Sequence, residues 1–220
     1  MARDSLKICL DKRNTIATKQ MVTRGLPKSI LSYPSFRLED KAASFVSKVE
    51  GLREKRIEKG KQVDSIKKMI EDPFLGPYVA CISGSPHDVN AKLLGAYIMM
   101  QAVIMQMNKE ELPKKQQKRL KDKSFPIWHN LYGGFDNPLV TKDNNSIHKP
   151  SLIIISNVTI DSTGPKIEKL RDILEAYSSV PRIVIASGTD PLTLFHSRLY
   201  SNLNFCCHLG SSLTKKSHVL

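Results

Sequence analysis

The chain has 220 residues, 40% hydrophobic and 25% charged, which suits one medium domain with a real core and excludes a disordered tail or a fibrous protein. Its 34 Lys+Arg against 21 Asp+Glu give a formal charge of +13, and no apolar run reaches the roughly 18 residues of a membrane helix. Met1 to Lys7 has neither the apolar core nor the cleavage site of a secretory signal, and Cys9, Cys81, Cys206 and Cys207 form no CxxC pair. A cytoplasmic, reducing compartment with no disulfide framework and no membrane partner is therefore expected.

In chain order, residues 1–25 show no clean periodicity and read as a basic, loosely structured arm, distinct from a domain over 26–220. Pro27 and Pro34 punctuate a connector. Leu38 to about Lys59 favours helix, and a second helix from about Val63 to Glu71 is stopped by Asp72-Pro73. Val79 to Ile82 reads as a buried strand ending in the turn Ser83-Gly84-Ser85-Pro86. Asp88 to about Met107 is a helix apolar on all sides, so it belongs inside a layered domain. A basic insertion, 109–124, follows, then a short strand at Phe125 to Trp128. Leu152 to Ile155 and Arg182 to Ser187 are β-branched runs typical of strands buried on both faces, with an amphipathic helix, Lys166 to Ser178, between them. Leu192 to Leu199 favours helix, and a last strand runs through Leu203 to Cys206. Strands alternating with helices predict an α/β fold on a mostly parallel sheet.

The charge is concentrated. Residues 1–70 hold 17 Lys+Arg and 8 acids, and residues 109–124 hold 7 and 3, while the remainder is neutral in sum. Two basic clusters on a neutral body point to phosphate backbones rather than to a membrane surface, because neither has large apolar residues at helical spacing. The candidate nucleic-acid residues are Arg53, Lys55, Arg56, Lys114, Lys115, Lys118, Arg119 and Lys121.

A strand, a Gly-opened turn and a helix with an early Lys are the parts of a phosphate-binding loop. Here Gly84 opens the turn, but Val89, Asn90 and Ala91 stand where GxxxxGK[ST] needs Gly, Lys and Ser/Thr. Lys92 comes two residues late, roughly 200° around a helix. After Leu152 to Ile155, where acidic residues would hold Mg²⁺, stand Ser156-Asn157. Gly188 occupies the position of a polar sensor after the Arg182 strand.

The order of these elements resembles an AAA+ ATPase of the bacterial and phage replicative-helicase-loader group. The resemblance covers about residues 26–215. It is carried by Leu26 to Leu31, Gly76 to Val79, Gly84-Ser85-Pro86, Leu152 to Asn157, Lys166 to Ser178, Arg182 to Ser187 with Asp190-Pro191, and Ser197-Arg198-Leu199. It implies a three-layer P-loop-like domain after a basic, partly helical N-terminal region, and a DNA replication accessory protein that binds DNA, single-stranded by expectation, and a replicative helicase. A homo-oligomer and the cytoplasm of a bacterial host are implied too. By the same resemblance Gly84, Ser85, Lys92, Ser156 and Asn157 mark the degenerate nucleotide site, and Arg198 maps onto an arginine finger. With its phosphate ligands substituted, ATP hydrolysis is expected to be lost and neither ATP nor Mg²⁺ to serve as cofactor. Two alternatives stay open: an active DNA-stimulated ATPase in which Lys92 reaches the phosphates, and a nucleic-acid-binding structural or packaging protein of a virus.

Trp128, His129, Tyr132 and Phe135 adjoin the basic insertion, where aromatic rings either stack unpaired bases or pack in the core. The histidines show no ligand spacing with cysteines or carboxylates, so no metal site is predicted.

Overall fold

A computed structural model describes residues 15–31, 69, 71–84, 90–131, 149–159, 165–187 and 205–209. Five strands form one sheet: β1 (Val79–Gly84), β2 (Ile127–Asn130), β3 (Ile153–Thr159), β4 (Arg182–Ser187) and β5 (Phe205–Leu209). Their order is β2-β3-β4-β1-β5, and every pairing is parallel. The described helices are α1 (residues 15–23), α2 (Lys28–Leu31), α3 (Asn90–Met107), α4 (Lys114–Leu120) and α5 (Pro165–Ala176), with a 3₁₀ turn at Lys109–Glu111. The fold is α/β, as the alternation of elements predicts. The helices expected over 38–59 and 192–199, and nearly all of that over 63–71, lie outside the described residues.

Strand periodicity divides the core into two layers. Ala80, Ile82, Ile154, Ile183 and Ile185 face α3, while Val79, Cys81, Ile153, Ile155, Val184 and Ala186 face α5 through Leu170 and Leu174. Since α3 is itself covered, it can be apolar all round. Its outer side is packed by Ala17 and Met21 of α1, by Leu26 and Ile30, and by Leu120 of α4. Residues 15–23, expected within a loose arm, are thus a helix whose apolar side is core. The apolar stripe there is only one residue per turn, and it acquires a partner only when α3 is in place.

The same segment closes an edge of the sheet. β2 is an outer strand, and its Trp128 N–H donates outward to the Arg24 carbonyl at 2.8 Å. An otherwise open row of backbone groups is thereby partly covered. The Arg24 guanidinium lies over the Phe125 ring, 5.9 Å from its centroid.

Close approach of α3 to the sheet requires Gly95. A Cβ there would lie 2.4 Å from Ile185 Cδ1 and 3.4 Å from Trp128 Cη2. At the far end of α5, buried Arg182 donates to the carbonyls of Val180 and Leu174, and its backbone N–H donates to Tyr78 O at 2.8 Å. Leu174 O is one of the last-turn carbonyls that the helix cannot satisfy itself.

β3 departs most from expectation. The polar pair Ser156-Asn157 does not end it; the strand runs on to Thr159. Ile155 pairs with Val184 and Val158 with Ala186, so β3 takes one more residue than β4 over this step. That is a β-bulge. Asn157 absorbs it with a left-handed φ of 62°, which asparagine tolerates better than most side chains. The extra residue resets the alternation. Three residues on from Ile155, Val158 would otherwise face α3, yet it joins the α5 side of the core. We expect Asn157→Gly to leave stability within about 1 kcal/mol of the parent, since relief of φ offsets one lost side-chain bond. Asn157→Val, β-branched at positive φ, is expected to lose about 2 kcal/mol or more. Urea denaturation of both variants measures this, and equal losses would contradict the role given to φ.

Candidate functional site

In open parallel sheets, ligands bind outside the carboxyl ends of the strands. At this edge the register aligns Gly84 of β1 with Ser187 of β4, and Ser187 with Thr159 of β3. Gly84 is buried at the end of β1, and Lys92 is half-buried in the first turn of α3. Between them, Ser85 and the remainder of the turn through Val89 lie outside the described residues, as do Arg198, Gly188, Arg53, Lys55 and Arg56.

Ser156 and Asn157 hold β2 to β3. The buried Ser156 hydroxyl accepts the Trp128 indole N–H at 2.8 Å and lies 3.5 Å from the His129 carbonyl. Asn157 Nδ2 donates to Asn130 Oδ1 at 2.9 Å. Both precede the strand end, so the polar residues of β3 and β4 level with Gly84 are Thr159 and Ser187. Reading the strand as ending at Ile155 missed Thr159. The signal was present in the β-branched Val158-Thr159 that follows a turn-tolerant asparagine.

The basic insertion is a folded element at the opposite, amino-terminal edge of the sheet. α3 carries the chain there from the end of β1, and 109–124 folds before β2 begins. Leu120 is buried under α3, and Gln117 Nε2 donates to the carbonyls of Leu112 at 2.7 Å and Glu110 at 3.0 Å. Lys109 Nζ donates to Leu120 O at 3.0 Å. Arg119 fastens the element to the segment before β1: its guanidinium donates to Phe74 O at 2.9 Å and pairs with Asp72 at 3.4 Å. Lys114, Lys115, Lys118 and Lys121, by contrast, are exposed. Lys114 and Lys118 are one turn apart, which puts their charges on one stripe away from Leu120. The sequence alone could not separate the arginine from the lysines, because the distinction depends on Asp72, far away in the chain.

Trp128 is 1% exposed and His129 is buried, so neither ring offers a stacking face. Tyr132 and Phe135 lie outside the described residues. Among the described residues no group of three His, Cys, Asp or Glu could hold a metal ion, and no helix is long and apolar enough to cross a membrane. No protein-family model matches this chain, and no curated protein matches it either.

Proposed function

We propose that this chain is a helicase-loader-like DNA replication accessory protein, an ATPase-like body without hydrolysis that holds DNA on Lys114, Lys115, Lys118 and Lys121 and meets a replicative helicase. The observation that carries the reading is the exposed lysine stripe of α4, set on a rigid, core-anchored element. Long mobile lysines need such a base to present a continuous positive edge to a phosphate backbone. The parallel sheet and the passage from β1 through a turn opened by Gly84 into α3 are compatible with the P-loop NTPase-like body that the resemblance implies. The substituted positions Val89, Asn90 and Ala91 favour loss of ATP turnover.

Oligonucleotide anisotropy across a salt series tests the reading. Neutralising Lys114, Lys115 and Lys118 together as alanines, with Arg119 left to fasten the element, is expected to lower affinity at every sequence. It should also flatten the slope of log K against log salt by about 2 on single strands, at roughly 0.7 per phosphate. Unchanged affinity and slope would refute it. DNA-stimulated ATP hydrolysis that disappears in Lys92→Ala would instead support the active-ATPase alternative.

A further inference from the structure

The lysine stripe does not stop at the end of α4. Asp122, just past the last turn, takes a left-handed φ of 59°, and the following Lys123 N–H donates back to Leu120 O at 3.3 Å. With Lys121 at φ −61° and ψ 131°, this is a type II turn over Leu120 to Lys123, and it redirects the chain sharply. The Lys123 carbonyl is then fixed by Gln106 Nε2 at 2.9 Å. One residue on, Ser124 forms a parallel bridge with Pro150, its N–H donating to Lys149 O at 2.9 Å, while Ser151 N–H donates to Ser124 O at 2.9 Å. These bonds bring Lys123, half-buried, beside exposed Lys149, which comes from the other side of β2 in sequence.

Two ammonium groups held together oppose folding unless something compensates them. The Lys123 ammonium is pushed down in pKa, first by its burial and then by the Lys149 charge. Among the described residues no carboxylate forms an ion pair with either lysine. A like-charge pair with one half-buried and one exposed member, its backbone fixed by hydrogen bonds and adjoining an exposed stripe of the same sign, is complementary to an anion.

We propose that Lys123 and Lys149, juxtaposed by the Ser124–Pro150 bridge, hold a backbone phosphate of a polynucleotide that continues along Lys121, Lys118 and Lys114. The inference rests on the nucleic-acid reading and deepens it. It assigns a second anchor that the charge run 109–124 does not contain, since Lys149 lies outside it. It also routes the strand across the amino-terminal edge of β2 and β3, away from Gly84, Thr159 and Ser187. A ligand at the carboxyl edge and a polynucleotide at this one would therefore not compete for the same residues.

The test uses the full chain with the double substitution Lys123→Gln and Lys149→Gln, and the triple alanine variant of α4 in parallel. The probe is a labelled oligothymidylate. Loss of that one phosphate contact is expected to flatten the salt slope by about 0.7. The melting temperature should meanwhile hold or rise, because a repulsion has been removed; a purely structural pair would lower it. Inorganic phosphate at matched ionic strength should not displace the oligonucleotide from the parent chain, and displacement would assign the pair to free phosphate and overturn the proposal. An unchanged slope in the double variant, with a flattened one in the triple variant, would overturn this anchor while leaving the α4 reading standing. Unchanged slopes in both would overturn the nucleic-acid reading, and the anchor with it.

Discussion

Replacing Trp128 with alanine is expected to cost about 3–5 kcal/mol, which lowers the melting temperature of a domain this size by about 2–4 °C per kcal/mol. The side chain is 1% exposed and is among the largest of the fully buried ones. It meets three elements. Its ring lies against α3 at Gly95, its indole N–H reaches Ser156 on β3, and its backbone N–H is bonded to Arg24 beyond α1. Collapse around the vacated volume is resisted on each side, so most of the cavity would persist. Trp128→Phe separates volume from hydrogen bonding. It keeps a ring but leaves the Ser156 hydroxyl without its indole donor, for a loss of about 1–3 kcal/mol. Ser156→Ala strands the indole N–H at similar cost. The double variant should therefore lose less than the sum, with a coupling of at least about 0.5 kcal/mol, measured by urea denaturation of all four proteins. Additive losses would show that the bond contributes nothing of its own. Since the ring is enclosed, Trp128→Phe should also leave oligonucleotide affinity unchanged; a clear drop in a variant that stays folded would return Trp128 to base stacking.

That hydrogen bond also explains why β3 was only half readable. Ser156-Asn157 interrupts an apolar run, and interruption ordinarily means a strand end. The strand continues because each polar group finds a partner on β2: the serine through the Trp128 indole, the asparagine through Asn130. Those partners are non-local, and neither is visible in the local pattern. Arg182 to Ser187 is the opposite case. Its bounds are the same in sequence and structure, because a central strand between β1 and β3 needs only continuous β-branched residues bounded by Pro181. α3 was readable as a buried helix, yet what buries it was not. Ala17 and Met21 are too small a stripe to announce a helix that packs across another. The basic cluster 109–124 was visible as charge, whereas the assignment of Arg119 to Asp72 and of Lys123 to Lys149 belongs to the tertiary fold. Local periodicity thus reports the sheet and its central helices well. The residues that select between a solvated charge, a structural tie and a binding anchor are fixed by contacts made late in the chain.

Arg182 shows how such a choice can be weighed. It is only 8% exposed, and among the described residues it has no carboxylate partner, so the fold carries an unneutralised guanidinium whose pKa burial pushes down. Two effects oppose one another. Removing the charge recovers its desolvation cost, which amounts to several kcal/mol for a fully buried ion but is reduced here by residual exposure and by hydrogen bonds. Removing the donors abandons Val180 O and Leu174 O, and bonds from a charged donor contribute about 1.5–3 kcal/mol each. Leu174 O is a helix-terminal carbonyl near the negative end of the α5 dipole, which favours a cation and weights the balance toward the bonds. Arg182→Met keeps most of the volume and the apolar stem, so it isolates this balance, and we expect it to lose about 2 kcal/mol net. Arg182→Lys should not restore the parent value, because a single ammonium cannot reproduce a planar fork that reaches two carbonyls on different segments. No pH dependence should accompany either loss near neutrality. A lowered arginine pKa makes stability rise with pH only where pH climbs through that value, and below it the charge is present in folded and unfolded chains alike. The measurement is the urea midpoint of the two variants at constant slope. If Arg182→Met is as stable as the parent, desolvation fully offsets the two bonds, and the tie between α5 and β4 rests on the apolar contacts of Leu170, Leu174 and their neighbours.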